Sequence, residues 1–205
     1  MENWLQETIL EGEKVKLIPL QKSHRNELLE VTSDGKLWEL WFTSVPSAET
    51  IDQYISKAME EKTAQSSLPF VIMDKSSQKI VGCTRFCNAA LIHRRLEIGY
   101  TWYAKSAQRT GINTECKYLM LQYAFEHLNC IAVQFKTDWF NLPSRNAISR
   151  LGAKQDGVLR NDRLNADGTY RDTVVFSIIK QEWHGVKKNL KYKMEHYRNL
   201  GSTTA

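Results

Sequence analysis

Over residues 14–20 Val15 and Leu17 alternate with lysines, and a period of two predicts a strand. The pattern then lengthens. Ser23 is placed to cap a helix through Leu28, Leu29 and Val31, and Ser47 to cap a second one with Ile51, Tyr54, Ile55, Ala58 and Met59 at helical spacing. Between them residues 37–42 form a short apolar stretch, and Trp38, Trp41 and Phe42 are expected to cover the core, the alternative being that they line a pocket. Three segments rich in β-branched and aromatic residues follow, at 68–73, 80–86 and 96–103, and their connections suit antiparallel pairing.

At Gly111 the period changes. Ile112, Cys116, Leu119, Met120, Tyr123, Ala124 and Leu128 recur every three or four residues, which predicts an amphipathic helix. A strand at 131–137 comes straight after, so residues 96–137 read as a parallel strand–helix–strand crossover. A short helix starts near Pro143 and stops at Gly152. Strands around 157–159 and 173–178 flank a loop at 165–168. A last helix, at about residues 181–200, carries Trp183, Val186, Leu190, Met194 and Tyr197 on one stripe and ends before Gly201. The expected fold class is α/β, with mixed strand directions, and residues 1–205 are expected to form a single domain.

Composition narrows this little. Apolar residues make up 42% and charged residues 25% of 205, which argues against disorder. Cys83, Cys87, Cys116 and Cys130 form no CxxC pair, so no metal is expected, and Cys83 and Cys116 are read as buried fillers in a reducing compartment. No signal peptide and no apolar run near the ~18 residues of a membrane span are visible, so a cytoplasmic protein without a membrane partner is expected. The net charge of +5 is mild. Its densest part, Lys187, Lys188, Lys191 and Lys193, reads as a solvated helix face, and nucleic acid is not an expected partner.

The chemistry concentrates at the junction between the strand ending at Tyr103 and the helix opening near Gly111. A helix N-terminus exposes unpaired N–H groups and the positive end of its dipole. Gly111 lets the backbone approach an anion closely, Gln108, Thr110, Asn113 and Thr114 offer hydrogen bonds, and Arg109 offers charge. No GxxxxGK[ST] loop and no GxGxxG fingerprint is present.

Gln108-x-x-Gly111-x-Asn113 resembles the Q/R-x-x-G-x-G/A pyrophosphate motif of GNAT acetyltransferases, departing from it at Asn113. The phrase Arg109-Thr110-Gly111-Ile112-Asn113-Thr114-Glu115 is similar to that of the ribosomal-protein N-acetyltransferase (Rim-like) branch. Leu96-Glu97-Ile98-Gly99-Tyr100, Lys136-Thr137-Asp138, Asn141-x-x-Ser144-Arg145 and Arg150-Leu151-Gly152-Ala153 agree with that branch. The resemblance covers about residues 12–180 and implies the GNAT acyl-CoA N-acyltransferase fold, a mostly antiparallel twisted sheet flanked by helices.

It also implies acetyl-CoA as co-substrate, with the pyrophosphate on residues 108–114, Ile112 included. The pantetheine arm would lie between main-chain groups of Tyr100, Thr101 and Trp102 on one side and Asn141 and Ser144 on the other. An amine, on a protein N-terminus or a small molecule, would attack the thioester directly in a ternary complex, with N–H groups near Tyr100 polarising the carbonyl. Glu97 is the first candidate base, the alternative being a surface carboxylate paired with Arg94, Arg95 or a neighbouring strand. Glu39 is a weaker candidate. Many GNAT enzymes use a tyrosine to protonate the leaving thiolate, but the corresponding position holds Ile148, which leaves Ser144 as the candidate acid. That missing tyrosine keeps a non-catalytic acyl-CoA-binding or ribosome-associated module as the alternative. The acceptor's identity and a homodimer are left open.

Overall fold

The computed structural model describes residues 4–165 and 167–202, with side chains through 196. The strands are β1 (Leu10–Glu11), β2 (Val15–Pro19), β3 (Leu68–Asp74), β4 (Lys79–Ala90), β5 (Arg95–Tyr103), β6 (Ala132–Asp138), β7 (Lys154–Leu164) and β8 (Tyr170–Ile179). The helices are α1 (Arg25–Ser33), α2 (Ile51–Thr63), α3 (Ile112–Gln122), α4 (Leu142–Leu151) and α5 (Trp183–Ser202). All eight strands join one sheet in the order β1-β2-β3-β4-β5-β6-β8-β7, antiparallel everywhere except between β5 and β6. The strand and helix periods imply the mixed α/β architecture, and the mostly antiparallel sheet is the one that the resemblance implies.

The period of two along β4 and β5 sorts side chains onto two faces. Thr84 and Thr101 meet Lys117 of α3 on one face. Cys83, Arg85 and Trp102 meet Tyr54 and Glu61 of α2 on the other. The α3 face is sealed further by α5. Trp183 stacks on Phe125 at 5.3 Å, and Glu126 accepts hydrogen bonds from Trp183 Nε1 and Lys187 Nζ. Beyond β5 the α2 face is less covered, so Gln134, Lys136 and Arg171 stay half-buried.

Several expectations need correction. Ser23 caps no helix: it lies in a one-turn helix at Lys22–His24, and α1 starts at Arg25 with His24 as its N-cap. Ser47 likewise sits before a turn, and Thr50 is the N-cap of α2. Trp38 and Trp41 are exposed, and of residues 37–42 only Leu37 is buried, because the chain turns once at Leu37–Glu39 and then leaves the core. The strand expected at 157–159 is an edge strand running to Leu164. Its outer side faces solvent, so it carries no continuous apolar signal. β1 is too short for a two-residue period to register. The stripe at Leu119–Leu128 includes a π-turn at Tyr123–His127. The last helix continues past Gly201 to Ser202, while the side chain of Tyr197, like residue Ala166 of the expected loop, lies outside the described residues.

Candidate active site

β5 and β6 pair over three residues only, ending with Glu97 opposite Gln134. Beyond that point β5 continues along β4 to Tyr103 and β6 along β8 to Asp138, so the two diverge. The cause lies in β5. Arg85 faces Gly99 and Cys83 faces Trp102, which leaves Thr84 alone opposite both Tyr100 and Thr101. Such a bulge bends and twists its strand. Tyr100 sits at φ +51°, in the left-handed region where a bulky residue is strained. The result is a wedge whose two inner edges carry main-chain groups that no strand pairs. Buried backbone groups are normally satisfied, so the wedge suits a polar, extended ligand.

The mouth of the wedge is the loop from β5 to α3. Arg109 (φ +64°) and Gly111 (φ +91°) both take the left-handed conformation, and Gly111 is the N-cap of α3. Among the described residues the N–H groups of 109–113 donate to no protein acceptor, while Thr114 N and Glu115 N close on Gly111 O. Successive free N–H groups at a helix N-terminus form an anion cradle. Two predicted ligand side chains shape the loop instead: Gln108 Nε2 donates to Tyr103 O at 3.2 Å and Thr110 Oγ1 to Ala107 O at 2.7 Å. Arg109 is exposed, Asn113 half-buried, and Ile112 and Thr114 are buried. Glu115 accepts from the N–H groups of Glu13, Lys14 and Val15, pinning α3 to the β1–β2 turn. A groove of about 1000 Å³ adjoins the same loop through Thr110 and Ile112, but Glu30, Asp34 and Asp74 line it with its lysines. That mixture suits a polyanion poorly, and the free N–H groups mark the anion position better.

At the vertex stands Glu97, buried to 7% exposure. Its partners are Asn88 Nδ2 at 2.9 Å and Lys136 Nζ at 3.2 Å, not Arg94 or Arg95, and both meet Oε2. Oε1 has no hydrogen-bond donor among the described residues, and a Cβ added at Gly99 would lie 3.1 Å from it. On the far wall Asn141 is the N-cap of α4 and accepts from Ser144 N at 3.0 Å, while Ser144 is half-buried. Ile148 is buried, so the place where a tyrosine acid was sought belongs to the core. Further along that wall, burial and the nearby Arg163 charge lower the pKa of Arg171, which pairs with Asp138 at 3.5 Å. Trp41 and Phe140, both exposed, touch at 5.7 Å between centroids and join the α1–α2 connection to the β6–α4 loop. Glu39 is exposed and pairs with Lys36 at 3.6 Å.

Two buried cations escape sequence reasoning. Arg85 lies 1% exposed on β4, bonded to Glu61 at 2.8 Å and stacked under Tyr100 at 4.0 Å. Lys117 of α3 is buried under the bulge, donating to Thr101 Oγ1 at 2.6 Å and Thr84 Oγ1 at 3.1 Å, and burial lowers its pKa. Lys117 does leave a trace: it is a charge on the stripe that Met120 and Ala124 continue. Arg85 leaves none beyond being charged within an apolar strand. Cys83 and Cys116 are buried as expected, Cys87 and Cys130 are buried too, and burial pushes all four thiols up, Cys130 to about 12.

Comparison with known proteins places these features in context. The family described as "Acetyltransferase (GNAT) domain" matches residues 14–154. Over 108 residues the chain is 34% identical to the Bacillus subtilis protein named "Putative ribosomal N-acetyltransferase YdaF", covering 53% of this chain and 58% of YdaF. A GCN5-related N-acetyltransferase from Brucella melitensis superposes with a TM-score of 0.83 at 27% identity, covering 93% of this chain and 86% of that one. The microcin C7 self-immunity acetyltransferase MccE, solved with acetyl-CoA and AMP, gives a TM-score of 0.71 over 82% of this chain and 93% of its own. At 20% identity it shares the fold alone.

Proposed function

The chain belongs to the GNAT acetyltransferase family, and from that premise we propose that it moves the acetyl group of acetyl-CoA directly onto a primary amine, a protein N-terminus or a low-pKa small-molecule amine. The observation that carries this reading is the wedge between β5 and β6, with a row of free N–H groups at its mouth. Residues 109–113 would hold the pyrophosphate through their N–H groups, with Arg109 and Asn113 in reach as side chains. The edge of β5 at Tyr100, Thr101 and Trp102 and the first turn of α4 at Asn141 and Ser144 would hold the arm. The bound thioester supplies an activated acyl group.

The protein's part is position and proton handling. A main-chain N–H at the bulge favours negative charge developing on the carbonyl oxygen, and being fixed it needs no reorganisation. The amine must be neutral to attack. A lysine with pKa about 10.4 costs about 4.6 kcal/mol to deprotonate at pH 7, an α-amine near 7.8 only about 1 kcal/mol. Glu97 is the proposed acceptor of that proton: it is buried at the vertex, Asn88 and Lys136 both meet Oε2, and Oε1 is left without a donor among the described residues. Ser144 is the proposed donor to the thiolate, in the first turn of α4 where the helix dipole favours an anion.

The test is incubation with acetyl-CoA and a panel of peptides with free N-termini, N-blocked lysine peptides and small amines, following free thiol. Peptide N-termini or low-pKa amines are expected to react fastest. No thiol release above hydrolysis on any amine would sink the proposal.

A further inference from the structure

The bulge that opens the wedge is held in a strained shape, and the side chain beneath it is unusual. Arg85 is fully buried, yet Glu61 binds only Nη1, while Nε and Nη2 are buried without a hydrogen-bond partner. Leaving two donors of a cation unfilled is costly. What the guanidinium does have is rings: Tyr100 at 4.0 Å and Tyr54 at 5.2 Å from its centre. Tyr54 is itself held by Trp102 Nε1 at 3.3 Å, so both ends of the bulged segment, Tyr100 and Trp102, connect to one aromatic–guanidinium cluster. Arg85 is also the residue across from Gly99, where the register breaks. A Tyr in the left-handed region does not stay there unaided. A guanidinium 4.0 Å over the centre of its ring favours that one placement, and cation–π attraction strengthens when desolvated.

We propose that Arg85 is a positioning residue for acetyl transfer: stacked under Tyr100 and tethered to Glu61, it fixes the 99–101 bulge and places positive charge behind the main chain that faces the thioester carbonyl. The inference rests on the acetyl-transfer reading above. It differs from a purely structural role, in which Arg85 would only join α2 to β4.

The experiment is isotope-edited infrared spectroscopy of acetyl-CoA carrying ¹³C at the carbonyl, bound to the wild-type protein and to Arg85→Lys, with affinities from calorimetry. Lysine keeps the charge but loses the planar stack. In the wild type the bound carbonyl band is expected below its frequency in water. In Arg85→Lys it should return toward the free value with affinity held within about threefold, and on any amine turned over kcat should fall about tenfold at unchanged KM for acetyl-CoA. An equal band shift in both proteins, or no shift in the wild type, overturns the proposal and leaves the acetyl-transfer reading standing. Absence of acetyl-CoA binding to the wild type overturns both. If Arg85→Lys does not fold, Glu61→Ala replaces it. Glu61 is half-buried on α2, and losing it should shrink the shift; an unchanged band there overturns the proposal equally.

Discussion

The two ends of the wedge are built from different materials. Its mouth is main chain: two left-handed residues, one helix N-terminus and five N–H groups from consecutive residues. Its vertex is side chain: Glu97 from β5, Lys136 from β6, Asn88 from β4 and Arg85 behind the bulge, brought together from across the sheet. A main-chain site binds what any backbone can bind, here an anion, and depends on conformation more than on residue type. A side-chain site depends on each group and on its neighbours. Substitutions at the mouth should therefore act on cofactor affinity, and those at the vertex on turnover.

The largest effect is expected at Gly111. At φ +91° a side chain is strained, and the position is buried at the foot of the N–H row. Gly111→Trp should abolish acetyl-CoA binding by calorimetry, while Lys136→Ala leaves the affinity within about twofold, because only the first alters the backbone and the space at the mouth. Because Gly111 is buried, the tryptophan variant should also lose thermal stability, and Gly111→Ala separates the two effects by keeping bulk small. Unchanged cofactor affinity in both variants would remove the anion site from this loop.

The same contrast explains what the sequence made legible. Gly111 and the helix after it are local features, so the mouth could be read from a dozen consecutive residues. The split could not be read that way. It follows from one extra residue in β5, and Tyr100 carries no sequence mark of its left-handed backbone. Glu97 is legible as a charge on the right strand with a partner on a neighbouring one, but that partner, Lys136, lies 39 residues away and has no local mark, and the burial of the carboxylate has none either. Trp38 and Trp41 are exposed where core is the expectation, for a related reason: apolar character alone does not tell a core position from an exposed one.

At the vertex, Glu97→Gln is the next prediction. The amide keeps the size of the side chain and can keep Lys136 as a hydrogen-bonding neighbour, but it cannot accept a proton. Turnover on the best amine should fall about 100-fold at pH 7, with acetyl-CoA affinity unchanged. The loss should be smaller at high pH, where the free amine no longer needs a base. A variant as active as the wild type at pH 7 would return Glu97 to the structural role of anchoring Lys136.

The smallest expected effect belongs to the layer under both ends. Lys117 is a buried cation whose described partners are two hydroxyls, and Thr84 and Thr101 also bond each other at 2.7 Å, so removing the lysine orphans neither. Its pKa is depressed by burial, with the Cys116, Cys83 and Cys87 thiols acting in the opposite sense. Between the native pKa and the unfolded value near 10.4 the unfolded chain holds more protons, so this lysine's contribution to stability rises with pH across that window. Below the window the native state bears the full cost of a buried charge. Lys117→Met should therefore be more stable than the wild type at pH 7, by about 1 kcal/mol in urea titration, and the advantage should narrow as pH approaches 10. The cysteine thiols, raised by burial in the fold, titrate in this range in the unfolded chain of both proteins alike and drop out of the difference. An advantage that stays constant from pH 7 to 10 would mean that Lys117 keeps its proton in the fold throughout, a permanent positive charge beneath the bulge opposite the one that Arg85 supplies.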